Sequence, residues 1–319
     1  MRVLLGCVNS AVSLVGYDLE QRQPFWYCPG NLLRVCGICW HEQALWSASD
    51  TVLQRVDAAG ISRTGLPGPH DNYAHSVKSL GDGLLGVADT GNSRVLLMGG
   101  GMMALSLSPL EGWGNDLPFD AIHLNDFVLW QDGLLISAFN HQPFSFWKKS
   151  DLNWKAEGWG CLYYLRRHGG RSLTRIVASG LDCPHSLALW QGDVYCCSSA
   201  CGTFFHYRQD EHGLLQELNR WKVTDTHFLR GCLRLEGGWL LGGSSQRHME
   251  DGGGMTLFWL DDAGSVTPLP VGGPGEIYDI IPWDDAFMPG ICRTLQHAPE
   301  LDVEGTFPAR CSLPAEYGG

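Results

Sequence analysis

Apolar residues in this chain run in short stretches separated by tight Asp/Gly turns, and the same arrangement recurs along most of the sequence. A clear copy covers residues 76–89, where two apolar strands flank the turn Gly81-Asp82-Gly83. Further copies cover 127–137, 186–195 and 232–241, and a degenerate copy covers 38–46. Asp-Gly and Gly-Gly pairs supply the positive φ that two-residue hairpins require. Each copy therefore predicts a β-hairpin.

A third strand is predicted after four of these hairpins, over residues 93–97, 161–165, 203–207 and 256–260. A unit of several antiparallel strands that repeats about every 40–60 residues is typical of propeller blades. Aligned on their turns, the copies begin near Cys36, His75, Asn125, His185 and Arg230, and one more start follows at Glu276. No extended helical periodicity accompanies them. The repeat therefore predicts six blades.

The blade that starts at Glu276 has no later strands behind it, whereas the N-terminus begins with strand-like stretches over 3–8 and 13–17. Pairing the two ends of the chain would complete that blade and remove two exposed sheet edges. The sequence thus predicts an all-β, six-bladed β-propeller closed by pairing of N- and C-terminal strands. We expect a single propeller domain over 1–319, in which 285–319 is a C-terminal tail that wraps the surface.

Charge and composition exclude some partners. The formal net charge of −12 at pH 7 lacks the basic footprint of a nucleic-acid-binding protein and gives no reason for binding to anionic lipid. The apolar N-terminal run is interrupted by Asn9 and Ser10, and no stretch is long enough to span a bilayer. We therefore expect a cytoplasmic protein, without nucleic-acid or membrane partners, whose 12 cysteines are mostly buried thiols.

Polar residues recur where the predicted first strands begin, at positions that core packing would fill with apolar side chains. This ring of polar blade starts comprises His75, His123, Asn125, His185, Arg230 and Glu276. Imidazoles with a carboxylate suit a divalent Fe, Cu, Zn or Mn ion, and three histidines leave coordination positions open for substrate. We expect His75, His123, His185 and Glu276 to bind such a metal; a metal-free polar pocket and a purely structural plug are the alternatives.

The other residues of the ring have expected roles in catalysis. Glu276 would be a metal ligand, a support for one, or a general base, and Arg230 would hold an anionic substrate group such as a carboxylate. Asn125 would orient substrate or water. His70 and His227 are further candidates for substrate binding near this site. Glycoside hydrolysis by two carboxylates is also conceivable, but nothing selects a pair from the candidates Asp120, Asp126, Asp279 and Glu276.

Several of these residues stand in motifs that resemble a family of bacterial propeller-like proteins of unknown function. The stretches are His123-Leu124-Asn125-Asp126, Cys183-Pro184-His185-Ser186, Phe228-Leu229-Arg230-Gly231, Gly243-Ser244-Ser245-Gln246-Arg247 and Glu276-Ile277-Tyr278-Asp279. In that family the corresponding motifs are H-L-N-G, M-P-H-S, F-x-R-G-L, V-G-L-S-x-x-R and E-I-Y-D-V, in the same order. The resemblance covers about residues 70–284. It implies no reaction, but it adds Arg247 as a candidate at the substrate mouth.

These expectations favour a metal-dependent enzyme of specialised metabolism that acts on a small molecule or a modified peptide. Among the reaction classes, an oxidoreductase is favoured narrowly over a lyase, an isomerase or a hydrolase. One alternative is a metal-free lyase, cyclase or isomerase that uses His and Glu as acid and base. Another is a non-enzymatic propeller that binds a protein or peptide, for which the aromatic insertion 139–159 would be a surface. Substrate and oligomeric state stay open.

Overall fold

The computed structural model describes residues 1–10, 12–29, 32–100, 102–112, 117–143, 158–245 and 254–298. The chain divides into two compact units. Unit 1 combines Met1–Gly65 with Arg230–Gly319, and unit 2 is Leu66–Leu229. Within the described residues nearly all regular structure is β-strand.

Unit 2 contains three four-stranded antiparallel sheets in which consecutive strands pair. The first sheet has β8 (Ala74–Gly81), β9 (Leu84–Asp89), β10 (Arg94–Gly99) and β11 (Met102–Leu107), with a 3₁₀ turn at Thr90–Asn92 after β9. The second has β12 (Leu124–Trp130), β13 (Gly133–Ala138), β14 (Gly160–His168) and β15 (Arg171–Leu181). The third has β16 (Pro184–Trp190), β17 (Asp193–Ser198), β18 (Thr203–Gln209) and β19 (Leu215–Lys222).

Unit 1 contains two further sheets of the same kind. One has β4 (Gly37–His41), β5 (Ala44–Ala48), β6 (Val52–Asp57) and β7 (Gly60–Gly65). The other has β20 (His227–Leu235), whose first residues precede the unit boundary, β21 (Gly238–Ser245), β22 (Thr256–Asp261) and β23 (Val266–Pro270).

The last sheet of unit 1 joins both ends of the chain. Its strand order is β24-β1-β2-β3, from β1 (Arg2–Val8), β2 (Val12–Asp18), β3 (Gln23–Pro29) and β24 (Glu276–Pro282). Leu5 of β1 faces Ile280 of β24 on one side and Val15 of β2 on the other. The predicted closure by N- and C-terminal strands is confirmed, because β24 is the first strand of a blade whose other three strands begin the chain.

The fold class is a six-bladed β-propeller, as predicted. Every first strand lies at or beside a predicted blade start, and the four predicted third strands correspond to β10, β14, β18 and β22. The blades could be recognised because turn pairs and apolar strands are local signals, which recur in most of the blades.

The tail beyond β24 contains α1 (Met288–His297), a helix that the sequence analysis did not predict. Met288, Ile291, Cys292 and Leu295 are buried in a core cluster of unit 1, and the Thr294 hydroxyl donates to the Asp57 carbonyl at 2.6 Å. Residues 299–319, the rest of the predicted surface wrap, lie outside the described residues. That a single domain spans 1–319 stays a prediction. Nowhere in the described ranges is a helix both long and apolar enough for a membrane span.

Where neighbouring sheets of a unit meet, the packing is so close that certain positions have room only for glycine. In unit 2, a Cβ added to Gly86 of β9 would lie 2.4 Å from the fully buried ring of Phe127 in β12. In unit 1, a Cβ added to Gly242 of β21 would lie 2.7 Å from the Ile277 side chain of β24. These glycines let neighbouring strands approach closely, which positions the residues at the strand starts.

Candidate functional site

The first strands of unit 2 share an irregular start. Their pairing registers shift between Ala74 and Ser76, between Leu124 and Asp126, and between His185 and Leu187. Such bulges redirect side chains and are common beside active sites. Just upstream, Tyr73, His123 and Cys183 have left-handed backbones with φ of 49°, 50° and 51°. A non-glycine residue in this region costs energy that the surroundings must offset.

The irregular starts show which residues are equivalent in the repeat. His75 Nδ1 lies 2.8 Å from the carbonyl oxygen of Tyr73, two residues upstream, and Asn125 Nδ2 donates to the His123 carbonyl at 2.9 Å. His75 and Asn125 therefore occupy one position of the repeat, and Tyr73 and His123 occupy another. His123 belongs to the loop that enters its strand, whereas the sequence analysis placed it in one ring with Asn125.

The structure brings three predicted histidines together in unit 2. The ring centroids of His75 and His123 are 5.1 Å apart, and those of His75 and His185 are 6.3 Å apart. All three side chains are buried. We call these residues the histidine cluster. The Tyr73 ring lies edge-on to His75 at 4.7 Å, and Phe139 lies 4.4 Å from His123, so aromatic side chains flank the imidazoles.

Hydrogen bonds define the tautomer of His75. Its Nδ1 contacts the Tyr73 carbonyl and, at 2.9 Å, the hydroxyl of Thr90. The Thr90 hydroxyl donates its only proton to the Leu124 carbonyl, so its oxygen must accept from His75. A carbonyl also only accepts. The neutral ring therefore carries its proton on Nδ1, and Nε2 carries the lone pair.

His123 forms a pair with a buried carboxylate. Its Nδ1 lies 2.7 Å from Oδ2 of Asp120, which is fully buried. An ionised carboxylate only accepts hydrogen bonds, so Nδ1 of His123 also carries a proton. In the neutral ring Nε2 is then the basic nitrogen. Asp120 was one of four carboxylates named from the sequence, and this contact distinguishes it from the others.

The contacts of His185 do not determine which of its ring nitrogens carries the proton. Its Nδ1 lies 3.2 Å from the Ser186 hydroxyl, and its carbonyl oxygen accepts a hydrogen bond from the Cys196 thiol. A hydroxyl can donate or accept, so this contact leaves the tautomer open.

Asp126 links the first strands of the three sheets of unit 2. Its carboxylate accepts from the Ser76 hydroxyl at 2.7 Å and from the Lys78 ammonium at 2.8 Å, both on β8. It also accepts from the backbone N–H of Leu187 on β16, at 2.6 Å. In unit 1, Asp279 likewise accepts from the backbone N–H of Ile38 in a different sheet, at 3.1 Å. These contacts give both carboxylates a structural role.

Asn125 also bridges strands. Besides the His123 carbonyl, its Nδ2 reaches the carbonyl oxygen of Pro184 on β16 at 3.5 Å. Thr90 also links neighbouring sheets of unit 2, because its hydroxyl donates to the Leu124 carbonyl. Both donors of Asn125 thus contact backbone oxygens, and its expected role in orienting substrate stays a prediction.

Arg230 and Glu276 form an ion pair within unit 1, and both are buried. The Asn9 side-chain amide donates to the same carboxylate, and the Arg230 guanidinium lies over the ring of Tyr278, 4.5 Å from its centroid. Each charge therefore has a partner of opposite sign in the protein. The expected roles of Glu276 as ligand or base and of Arg230 as substrate anchor stay predictions.

The remaining candidates differ in their surroundings. His70 is exposed, and its ring centroid lies 6.2 Å from that of Phe119, which is 6.4 Å from Tyr73 beside the histidine cluster. His227 is half-buried, with Nδ1 2.9 Å from the Thr226 hydroxyl. Arg247 and most of the aromatic insertion, residues 144–157, lie outside the described residues.

The expected metal finds no support in this arrangement. Among the described residues, no group of three or more His, Cys, Asp or Glu side chains is placed so that it could hold a metal ion. The Nδ1 atoms of His75 and His123 face Asp120, Thr90 and the Tyr73 carbonyl. Metal binding by the histidines stays a prediction from the sequence, and no chemical step is derived through it.

Sequence reasoning missed the residues that support the histidines. Tyr73 and Thr90 were not candidate site residues, Phe139 was named only as part of the aromatic insertion 139–159, and Asp120 was not linked to His123. Asp120 and His123 are three residues apart, and their side chains meet in a segment where both residues have left-handed backbones, with φ of 54° and 50°. The spacing alone does not reveal that backbone conformation, so it did not predict the contact. Tyr73, Thr90 and Phe139 come from other turns, so their proximity depends on strand pairing.

Comparison with known proteins supports the fold. No protein-family model matches the chain, and no curated protein matches it. A solved protein of unknown function from Bacteroides caccae is 14% identical, with a TM-score of 0.61, over 88% of this chain and 97% of that one. Regucalcin from Agrobacterium tumefaciens strain C58, described as a calcium-binding protein, is 15% identical, with a TM-score of 0.52, over 76% of each chain.

A streptogramin B lyase is also similar, at 11% identity and a TM-score of 0.52, over 85% of this chain and 88% of that one. At these identities the likeness concerns the propeller fold alone. It is consistent with the family resemblance of the motifs, and it identifies neither a reaction nor a cofactor.

Proposed function

We propose that this propeller is an enzyme that acts on a small molecule by acid–base catalysis at the histidine cluster. The observation that carries the proposal is the state of His75 and His123. Their rings are 5.1 Å apart, and each has Nδ1 committed to an acceptor in the protein. Two neighbouring imidazoles with basic Nε2 atoms are suited to moving protons, because imidazole is the side chain that changes charge most readily near neutral pH.

Such a pair supports a lyase or an isomerase. With one ring neutral and the other protonated, the neutral ring takes a proton from a substrate carbon, and the electron pair left behind forms a double bond. In an elimination, the bond between the neighbouring carbon and the leaving group breaks as the double bond forms, and the protonated ring gives its proton to the leaving group. In an isomerisation, an existing double bond shifts, and the protonated ring gives its proton to the far carbon of that bond. The protons balance between the two rings, and no oxidant or reductant is consumed.

The surroundings of the cluster favour this chemistry. Phe139 packs on His123 and Tyr73 packs on His75, and apolar surroundings strengthen electrostatic interactions with a reacting group. Propellers also serve as enzyme scaffolds, as in streptogramin B lyase, although a shared fold does not establish a shared reaction.

The metal-dependent oxidoreductase expected from the sequence is the second candidate. One observation favours it: a carboxylate that accepts Nδ1–H from an imidazole, as Asp120 does from His123, is also how proteins orient metal-binding histidines. The arrangement of the described residues as a whole does not fit a metal site. The two candidates differ in the oxidation state of the product and in sensitivity to chelators.

Both candidates are tested by incubating the purified protein with bacterial metabolite extracts, with and without a chelator, and following the mixture by mass spectrometry. We expect a metabolite to be converted to a product of the same composition, or to two products whose compositions sum to it. Conversion should survive chelation. In H75Q and H123Q it should fall by about 10²–10⁴-fold, the usual contribution of a general acid or base.

His206 offers a matched control, because it too is hydrogen-bonded to an aspartate, with Nε2 2.7 Å from Asp193, but lies on the third strand of its sheet. H206Q should keep full activity. A product that differs by two hydrogens, or activity that the chelator abolishes, would favour the metal-dependent oxidoreductase. Absence of any conversion, or full activity in H75Q and H123Q, would overturn the acid–base proposal.

A further inference from the structure

The carboxylate of Asp120 has a placement that packing alone does not explain. The residue is fully buried, and its backbone is left-handed with φ of 54°. Left-handed non-glycine residues persist only where the surroundings hold them. Here the backbone N–H of Asp120 donates to the Gly91 carbonyl at 2.8 Å, and the next two residues, Ala121 and Ile122, are fully buried.

His123 is held in the same way at the other end of this short segment. Its φ is 50°, and its carbonyl oxygen accepts from the Phe139 backbone N–H at 3.2 Å and from the Asn125 side chain at 2.9 Å. The two left-handed residues are three positions apart, and their side chains meet at 2.7 Å. Backbone contacts at both ends thus fix the contact between the carboxylate and the imidazole.

We infer that Asp120 is a positioning residue of the proposed acid–base site: it holds the proton of His123 on Nδ1 and thereby keeps the Nε2 lone pair for the substrate. The inference rests on the proposed function for its catalytic meaning, but the tautomer itself is a property of the resting protein. His75 reaches the same tautomer by another route, through Thr90 and the Tyr73 carbonyl, so a change at Asp120 should affect one ring and spare the other.

The test is ¹⁵N NMR of histidine-labelled protein, in which protonated and unprotonated ring nitrogens have distinct shifts. H75Q and H123Q assign the two signals. We expect Nδ1–H on both rings in the wild type. In D120N, His123 should show a substantial Nε2–H population because asparagine can donate to Nδ1, while His75 stays unchanged. Turnover should fall by at least about 100-fold with little change in KM, as for a triad whose histidine adopts the wrong tautomer.

D193N is the matched control, because it removes the carboxylate of a second pair of a buried aspartate and a histidine, and it should alter only the His206 signal. Circular dichroism checks that each variant folds. If D120N does not fold, the wild-type spectrum decides, since Nε2–H on His123 overturns the inference. An unchanged His123 tautomer in folded D120N also overturns it. An Nδ1–H tautomer in a protein that converts no metabolite would instead overturn the proposed function and leave the positioning intact.

Discussion

Removing the Asp126 carboxylate should strongly destabilise unit 2. This side chain is buried, and its donors come from two other sheets: Ser76 and Lys78 on β8 and the backbone of Leu187 on β16. The D126A variant removes this acceptor from all three donors, and the Lys78 ammonium keeps only its hydrogen bond to the Leu187 carbonyl at 3.1 Å among these contacts. Because β8 carries His75 and β16 carries His185, the same change should loosen the histidine cluster.

The magnitude follows from the environment of each donor. Breaking a buried ion pair from one side costs about 3–5 kcal/mol, and a buried backbone N–H left without a partner costs about 1–3 kcal/mol. The Lys78 side chain is 25% exposed, so its ammonium can regain water and part of the first cost is relieved. We therefore expect D126A to lower the free energy of unfolding by about 4 kcal/mol.

Urea denaturation followed by tryptophan fluorescence and far-UV circular dichroism measures this loss, and agreement of the two probes shows that one transition is being compared. D225N is a control, because Asp225 is exposed beside Lys222 and its removal should not change the midpoint. In a double-mutant cycle, K78M removes the ammonium that has lost its carboxylate partner. The free energy of unfolding of K78M/D126A should therefore fall by about 1–2 kcal/mol less than the sum of the losses in the two single variants. A loss below about 1 kcal/mol in D126A, or strict additivity, would refute this account.

Three further predictions concern other parts of the chain. G91A should lower the free energy of unfolding by about 1–3 kcal/mol, the usual cost of overpacking, because the added Cβ would lie 2.0 Å from a backbone oxygen; an unchanged urea midpoint would contradict this. Burial raises the pKa of the Cys161 thiol to about 12, so native protein should resist iodoacetamide at this residue in mildly alkaline buffer, and peptide mass spectrometry before and after unfolding measures the difference. Hydrogen bonds from Arg208 are the main cause that holds the pKa of Asp193 below its usual value; R208Q should raise it in a carboxyl NMR titration, and an unmoved pKa would exclude that cause. Because the folded-state pKa is depressed, the stability that Asp193 contributes is present above its unfolded-state pKa and is lost as the pH falls through the folded-state value.

The blades could be predicted from the sequence because their signals are local. Turns such as Gly81-Asp82-Gly83 and the apolar strands beside them depend on neighbouring residues, and they recur in most blades. The position of Glu276 at the start of an incomplete blade also predicted the pairing of β24 with β1, since only the N-terminal strands were left to complete it. The helix α1 was not predicted because it is a single short helix that is not part of the repeat.

The amino-acid sequence was sufficient to predict the fold class, the approximate blade boundaries and the presence of His75 and His185 at strand starts, because hydrophobic period and turn chemistry act over a few residues. What those residues contact depends on how the strands pack against one another. This packing pairs Arg230 with Glu276, makes Asp126 a junction between strands, and places Asp120 and Thr90 on the histidine rings. Those partners lie on different turns and strands, so strand register and backbone conformation, rather than spacing along the chain, decide which side chains meet.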